Sequence, residues 1–187
     1  MTVLTAPPTI ELITGEDLLA MGDIGPWELI DGRIVAMSPT GDEHGTIEFN
    51  LGSELRAFVR QNNLGRVTGG EVGIYIRRRP DTIRAADVVF VSAERLARPV
   101  KGFLDVAPEL VVEIMSPSDR WQDIRSKLDD YFSIGVERIW IVEPDRHTVL
   151  VYRSSTDLRE FGEDDVLKGE GVLEGFELPV ADLFAEL

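Results

Sequence analysis

Two carboxylates interrupt segments that otherwise read as protein core. Asp87 lies inside Ala85-Ala86-Asp87-Val88-Val89-Phe90-Val91, and Glu113 lies inside Leu110-Val111-Val112-Glu113-Ile114-Met115. Each is the only charge in its run. Continuous apolar runs of this length suit strands covered on both faces of an α/β sheet. An unpaired carboxylate there costs several kcal/mol even after relaxation, a large part of a domain's stability. Such a group is neutralised, paired or bound to a metal. If the two strands are neighbours, the two acids can hold a divalent ion, since Mg²⁺ takes one or two carboxylates plus water and phosphate. Pairing with a nearby arginine is the plainer alternative.

The surrounding pattern is mixed α/β. Thr14, followed by Glu16 and Asp17, reads as the N-cap of a short helix within 12–21. Residues 27–37 read as a β-hairpin turning at Asp31-Gly32. Ile47, Leu51, Leu55 and Val59 recur every four residues, so 43–62 reads as a helix. Strands follow at 72–76, 85–91 and 109–115. A helix over 121–134, capped by Asp119 and stopped by Gly135, leads to strands at 138–142 and 148–152. The tail reads as short strands and turns, ending in a small helix near Leu183. Residues 1–11 read as a flexible arm and 12–187 as one domain. No G-x-G-x-x-G or P-loop occurs, and Gly69-Gly70 alone does not suggest phosphate binding.

Further residues gather around the two acids. Glu28, at the start of the hairpin, either completes an acidic cluster or stays solvated. Lys127 is one of three lysines against sixteen arginines and lies in the helix after the Glu113 strand. Asp123 and Tyr131 share its helix stripe. It either forms a surface pair with Asp123 or brings an ammonium to the metal site. Ser116-Pro117-Ser118 would form the rim. His44 reads as a structural or solvated histidine. With only His44 and His147 and no cysteine, the chain lacks the ligands of a usual zinc site. Ser-His-Asp catalysis has no supporting G-x-S-x-G.

Charge first argues against a nucleic-acid partner. The 187 residues carry a formal net charge of −15. Yet residues 52–101 hold 10 bases and 5 acids. Arg77, Arg78 and Arg79 are the densest point, and with Arg84 they are candidate nucleic-acid contacts, or else a solvated strand end. No apolar run is long enough to span a membrane, and the first 25 residues hold no Lys or Arg. A cytoplasmic protein is the expectation.

The segments ELIDGRIVAMSP, the following His44, AADVVFV, PELVVEIMSPSD, DIRSKLDDYFSIGVERIWIVEPD and LPVADLF together resemble the Uma-two (Uma2) family. That family is assigned to the PD-(D/E)XK restriction-endonuclease-like superfamily. The resemblance runs from about residue 12 to the C-terminus. It implies a restriction-endonuclease-like fold, a mixed central sheet flanked by helices, with the N-terminal hairpin and extra C-terminal strands. It implies Mg²⁺- or Mn²⁺-dependent cleavage of DNA phosphodiesters. By position, Asp87 matches the first metal-binding acid, Glu113 the second, and Glu28 a supporting acid. Lys127 resembles a catalytic lysine moved into the following helix. The superfamily lysine position, two residues after Glu113, holds Met115, and the usual proline before the aspartate is Ala86. A homodimer is expected for cutting both strands. The alternative is a non-catalytic nucleic-acid-binding or regulatory module on the same fold.

Overall fold

The computed structural model describes residues 12–96 and 100–187; the expected arm at 1–11 lies outside them. The chain runs α1 (Gly15–Ala20), β1 (Trp27–Ile30), β2 (Arg33–Ala36), α2 (Asp42–Gln61), β3 (Gly65–Arg77), β4 (Thr82–Ser92), β5 (Leu110–Ile114), α3 (Trp121–Ser133), β6 (Arg138–Glu143), β7 (Thr148–Ser154), β8 (Asp157–Phe161), β9 (Val166–Lys168), β10 (Glu177–Pro179) and α4 (Val180–Leu183).

One sheet carries the architecture. Its strands run β2-β1-β4-β5-β6-β7-β8, with β3 also paired to β4. All neighbours are antiparallel except β5 and β6, which are parallel. A parallel pair needs a crossover, and α3 supplies it. Helix α2 covers one face, packing Ile47, Leu51, Leu55 and Val59 on Val88, Phe90, Leu110 and Val112. Helix α3 covers the other, packing Ile124, Leu128 and Tyr131 against Val89, Val111, Ile139 and Ile141. Covered on both sides, β4 and β5 have no exposed residue. β9 and β10 form a separate two-stranded sheet, whose Leu167 and Leu178 close the α2 side of the core. Among the described residues, no helix is long and apolar enough to cross a membrane.

Local chemistry explains the ends. Thr14 caps α1 in a reciprocal box with Asp17. Asp31 and Gly32 both take positive φ in the β1–β2 turn, as a two-residue hairpin requires. Two expectations change. The strand expected at 72–76 is β3, thirteen residues long, whose glycines hide it from a propensity reading. The N-cap of α3 is Arg120, without a side-chain cap. Asp119 is engaged one turn earlier, where its carboxylate accepts the Ser116 N–H at 2.7 Å and the Ser116 hydroxyl at 2.9 Å.

Candidate active site

The β4–β5 ladder pairs Phe90 with Leu110 through Val88 with Val112 and then stops. Just beyond that point the Asp87 carboxylate takes over: Oδ2 accepts the Ile114 N–H at 2.6 Å. Across β4, the β3 ladder is also interrupted. Its register shifts between Gly69 and Val72, and Gly70 and Glu71 have positive φ. Asp87 therefore sits where both neighbouring ladders open, on a strand otherwise sealed by pairing. A bulge in this place re-aims backbone and side chains.

Helix α2 approaches the same point with His44 and Glu48, one turn apart on one face. Glu48 Oε1 accepts the Gly70 N–H at 2.6 Å and so anchors the bulge. Burial pushes the Glu48 pKa up, and the Asp87 charge adds to that rise. His44 Nε2 lies 3.2 Å from Asp87 Oδ1. It is within reach of the charge but out of line for a hydrogen bond. Among the described residues it is the one buried side-chain nitrogen or oxygen without a hydrogen-bond partner. Burial opposes a charged imidazole here, but Asp87 outweighs it and the His44 pKa is raised.

On the α3 side, strand alternation aims Glu113 at the helix. Lys127 Nζ donates to Glu113 Oε2 at 2.7 Å, and Tyr131 donates its hydroxyl to Oε1 at 2.6 Å. Lys127 also donates to the Ala85 carbonyl at 3.3 Å and stands 3.4 Å from Glu28 Oε1. Complete burial pushes the Glu113 pKa up to about 7, against the pull of Lys127 and with help from Asp87. Burial alone would lower the Lys127 pKa, but Glu113 and Glu28 raise it. The two acids hold Lys127 in its charged form, whereas at Glu113 burial outweighs the ammonium. Tyr131 is raised well above its ordinary value by burial and by Glu113, so it stays a donor.

Sequence reasoning left Lys127 between two partners, and the structure pairs it with Glu113 and Glu28. It likewise left Glu28 open between burial and solvent. Glu28 is buried, accepting from Arg84 Nη1 at 2.8 Å and from the Ala85 N–H at 3.2 Å. Arg84, expected as a possible nucleic-acid contact, is placed as a buried strut: besides Glu28 it donates to Asp130 at 2.7 Å and to Ser126 at 2.9 Å. The structure does not bring Arg77, Arg78 or Arg79 to this cluster. They lie at the β3–β4 turn, about 17 Å along the strand from Asp87 at 3.3 Å per residue. Arg77 pairs with Asp31. Arg78 stacks on Tyr75 and pairs with Glu16 at 2.7 Å. Arg79 is exposed.

His44 and Glu48 are the residues sequence reasoning did not place in the site. Their spacing of one helical turn was visible, but its target was not.

Among the described residues, no three His, Asp or Glu side chains form a ready-made metal cage. A closed, zinc-like centre is therefore a poor fit. A hard ion that takes one or two carboxylates and completes its shell with water and phosphate is a good one. Asp87 Oδ1 has no hydrogen-bond donor beyond the misaligned His44, and each Glu113 oxygen accepts a single bond, leaving lone pairs available.

Comparisons with known proteins bear on this arrangement. The model of the Uma2 family, described as "Putative restriction endonuclease", matches residues 16–181. No curated protein matches the chain. A solved structure from Anabaena variabilis, described as "a putative nuclease belonging to DUF820", superposes with a TM-score of 0.78 at 22% identity. The match covers 92% of this chain and 98% of that one. At that identity the likeness is one of fold.

Proposed function

Since the chain belongs to the Uma2 family, we propose that it is a divalent-metal-dependent endonuclease that hydrolyses DNA phosphodiester bonds at the Asp87–Glu113–Lys127 cluster. The observation that carries the reading is Lys127 Nζ at 2.7 Å from Glu113. Met115 stands where the superfamily lysine is expected, and α3 supplies an ammonium to the same acid from fourteen residues further on. An ammonium beside Glu113 is what that lysine would bring, and this supports the reading.

Asp87 and Glu113 would hold Mg²⁺ or Mn²⁺. When bound, such an ion polarises the scissile phosphate and lowers the pKa of its water. The chain's own groups do the rest. Lys127 keeps its charge across neutral pH and presents a fixed positive centre where negative charge builds on the phosphate. Glu28 holds Lys127 from the second side, and Arg84 holds Glu28, so the ammonium is positioned before substrate arrives. Tyr131 fixes the rotation of the Glu113 carboxylate.

Plasmid nicking in Mg²⁺ or Mn²⁺ tests the reading. The wild-type chain should nick, and Asp87→Asn should lose about 10²–10³-fold in rate, the scale of losing a principal electrostatic group. Equal rates in the two proteins would sink the assignment. Cutting both strands of a duplex takes two such centres, so a homodimer belongs to this reading. Sedimentation of the chain with duplex DNA checks it.

A further inference from the structure

A second feature lies against the candidate centre. A cavity of about 500 Å³ opens between the start of α2, the β5–α3 loop and the turn at Pro144–Arg146. His44 lines it and also faces Asp87 Oδ1, so the cavity and the centre share a wall. The volume falls within the range of roughly 300–1,000 Å³ usual for small-ligand sites.

We propose that this cleft receives one unpaired nucleobase of the substrate strand, stacked on Trp121. The proposal rests on the nuclease reading for where the scissile phosphate lies, and it adds the substrate class: a strand that is single, or locally opened, at the site.

Three observations carry it. The first is Trp121, which lines the cavity from the first position of α3 with 38% of its surface exposed. The helix packs its core through Ile124, Leu128 and Tyr131 and does not need an indole there. The second is the apolar lining of Met115, Pro117 and Pro144, a surface that suits a flat ring. The third is charge. Five carboxylates, Asp42, Glu43, Asp119, Glu143 and Asp145, line the cleft, and Arg146 is the one Lys or Arg among its lining residues. Duplex DNA brings a negative charge about every 1.7 Å of axis, about twice the density of one strand, so such a wall repels the duplex more. A base turned into the cleft is itself neutral and can leave its phosphates outside. The amino groups of adenine, cytosine and guanine donate hydrogen bonds that carboxylates accept. Stacking on an aromatic ring tolerates any base, so the cleft selects for an unpaired strand more than for a sequence.

The test reads binding without cutting. Fluorescence anisotropy is measured with the full chain in metal-free buffer at low salt. The probes are a labelled single-stranded DNA, the same sequence as single-stranded RNA, and the blunt DNA duplex. The single strands should bind more tightly than the duplex. Trp121→Ala should weaken single-strand binding about tenfold and leave duplex binding unchanged, while Trp121→Phe keeps most of the affinity. Tighter binding of one single strand than the other decides between DNA and RNA. Equal affinity for duplex and single strand, or an unchanged single-strand affinity in Trp121→Ala, overturns the proposal. So does an oligolysine peptide whose binding depends on Trp121 when the oligonucleotides do not bind. Circular dichroism of both variants checks their fold. The two readings fail separately: nicking by Asp87→Asn at the wild-type rate removes the nuclease assignment, whereas the cleft is judged on metal-free binding alone.

Discussion

Glu113 and Glu170 are the same residue type held in opposite ways. Glu113 is fully enclosed beneath α3 with one ammonium and one phenol, and its pKa is pushed up to about 7. Glu170 lies near the surface between two arginines. Arg153 Nη2 reaches it at 2.5 Å and Arg138 Nη2 at 2.7 Å, and hydrogen bonds from them, Arg153 first, hold its pKa down at about 2. The difference is desolvation against charge compensation. At Glu170 two cations and partial exposure to solvent satisfy one carboxylate. At Glu113 the single ammonium is shared with Glu28, the second cation Arg84 is divided between Glu28 and Asp130, and Asp87 faces only His44 among the described residues, so the buried carboxylates are under-compensated. The first arrangement is complete as it stands. The second has capacity for another positive charge, which is what the proposed metal-binding role would need.

Removing cations should break the comparison most sharply. Lys127→Met leaves Glu113 and Glu28 buried without their common partner, and breaking a buried pair in this way costs about 3–5 kcal/mol. Urea denaturation in metal-free buffer should show that loss, together with the loss of nicking. A cost below about 1 kcal/mol would mean that Glu113 is protonated and indifferent to Lys127. Tyr131→Phe is the next step down. It strips the donor from Glu113 Oε1 in a dry site, which costs about 1–3 kcal/mol, and it should be read in the same denaturation series. Gly70→Ala tests the bulge that Glu48 anchors. Nothing lies within 4 Å of the added methyl, so the expected loss of about 1 kcal/mol comes from the positive φ alone. Any larger loss of nicking than of stability in that variant would tie the bulge to the Asp87 centre.

What the sequence shows of this contrast follows from range. Asp87 and Glu113 stand out because a charge inside an apolar strand is visible within seven residues. Lys127 and Tyr131 share a helix stripe, so their direction is legible and only the target is missing. The fold is legible for the same reason, because the strands and helices that bury both faces carry clean periodicities. Arg84 was not legible as a strut. It lies next to the Asp87 run, but its partners Glu28 and Asp130 are 56 and 46 residues away. Glu48 and the bulge at Gly69–Val72 were hidden twice, by 22 residues of separation and by glycines that suppress a strand reading. The Arg138–Glu170–Arg153 network was invisible altogether, since ordinary charges on short tail segments give no periodic signal.

The smallest effect separates the two glutamates by sign. A folded-state pKa below the unfolded value of about 4.3 gives stability that is present above the unfolded pKa and is lost as pH falls through the folded one. For Glu170 that window runs from about pH 5 down to about pH 2. Glu113 has the reverse sign: its contribution is full at low pH and falls as pH rises through about 7. Glu170 is partly solvated, so water and salt screen its pairs and the loss should not exceed about 1 kcal/mol. Glu170→Gln should therefore flatten the acid limb of the stability curve between about pH 5 and 2 and leave the curve above pH 5 parallel to the wild type. Added salt should shrink the difference between the two proteins. If Glu170→Gln instead changed the slope near pH 7, the two carboxylates would be coupled, and the contrast between a satisfied surface carboxylate and an under-compensated buried one would fail.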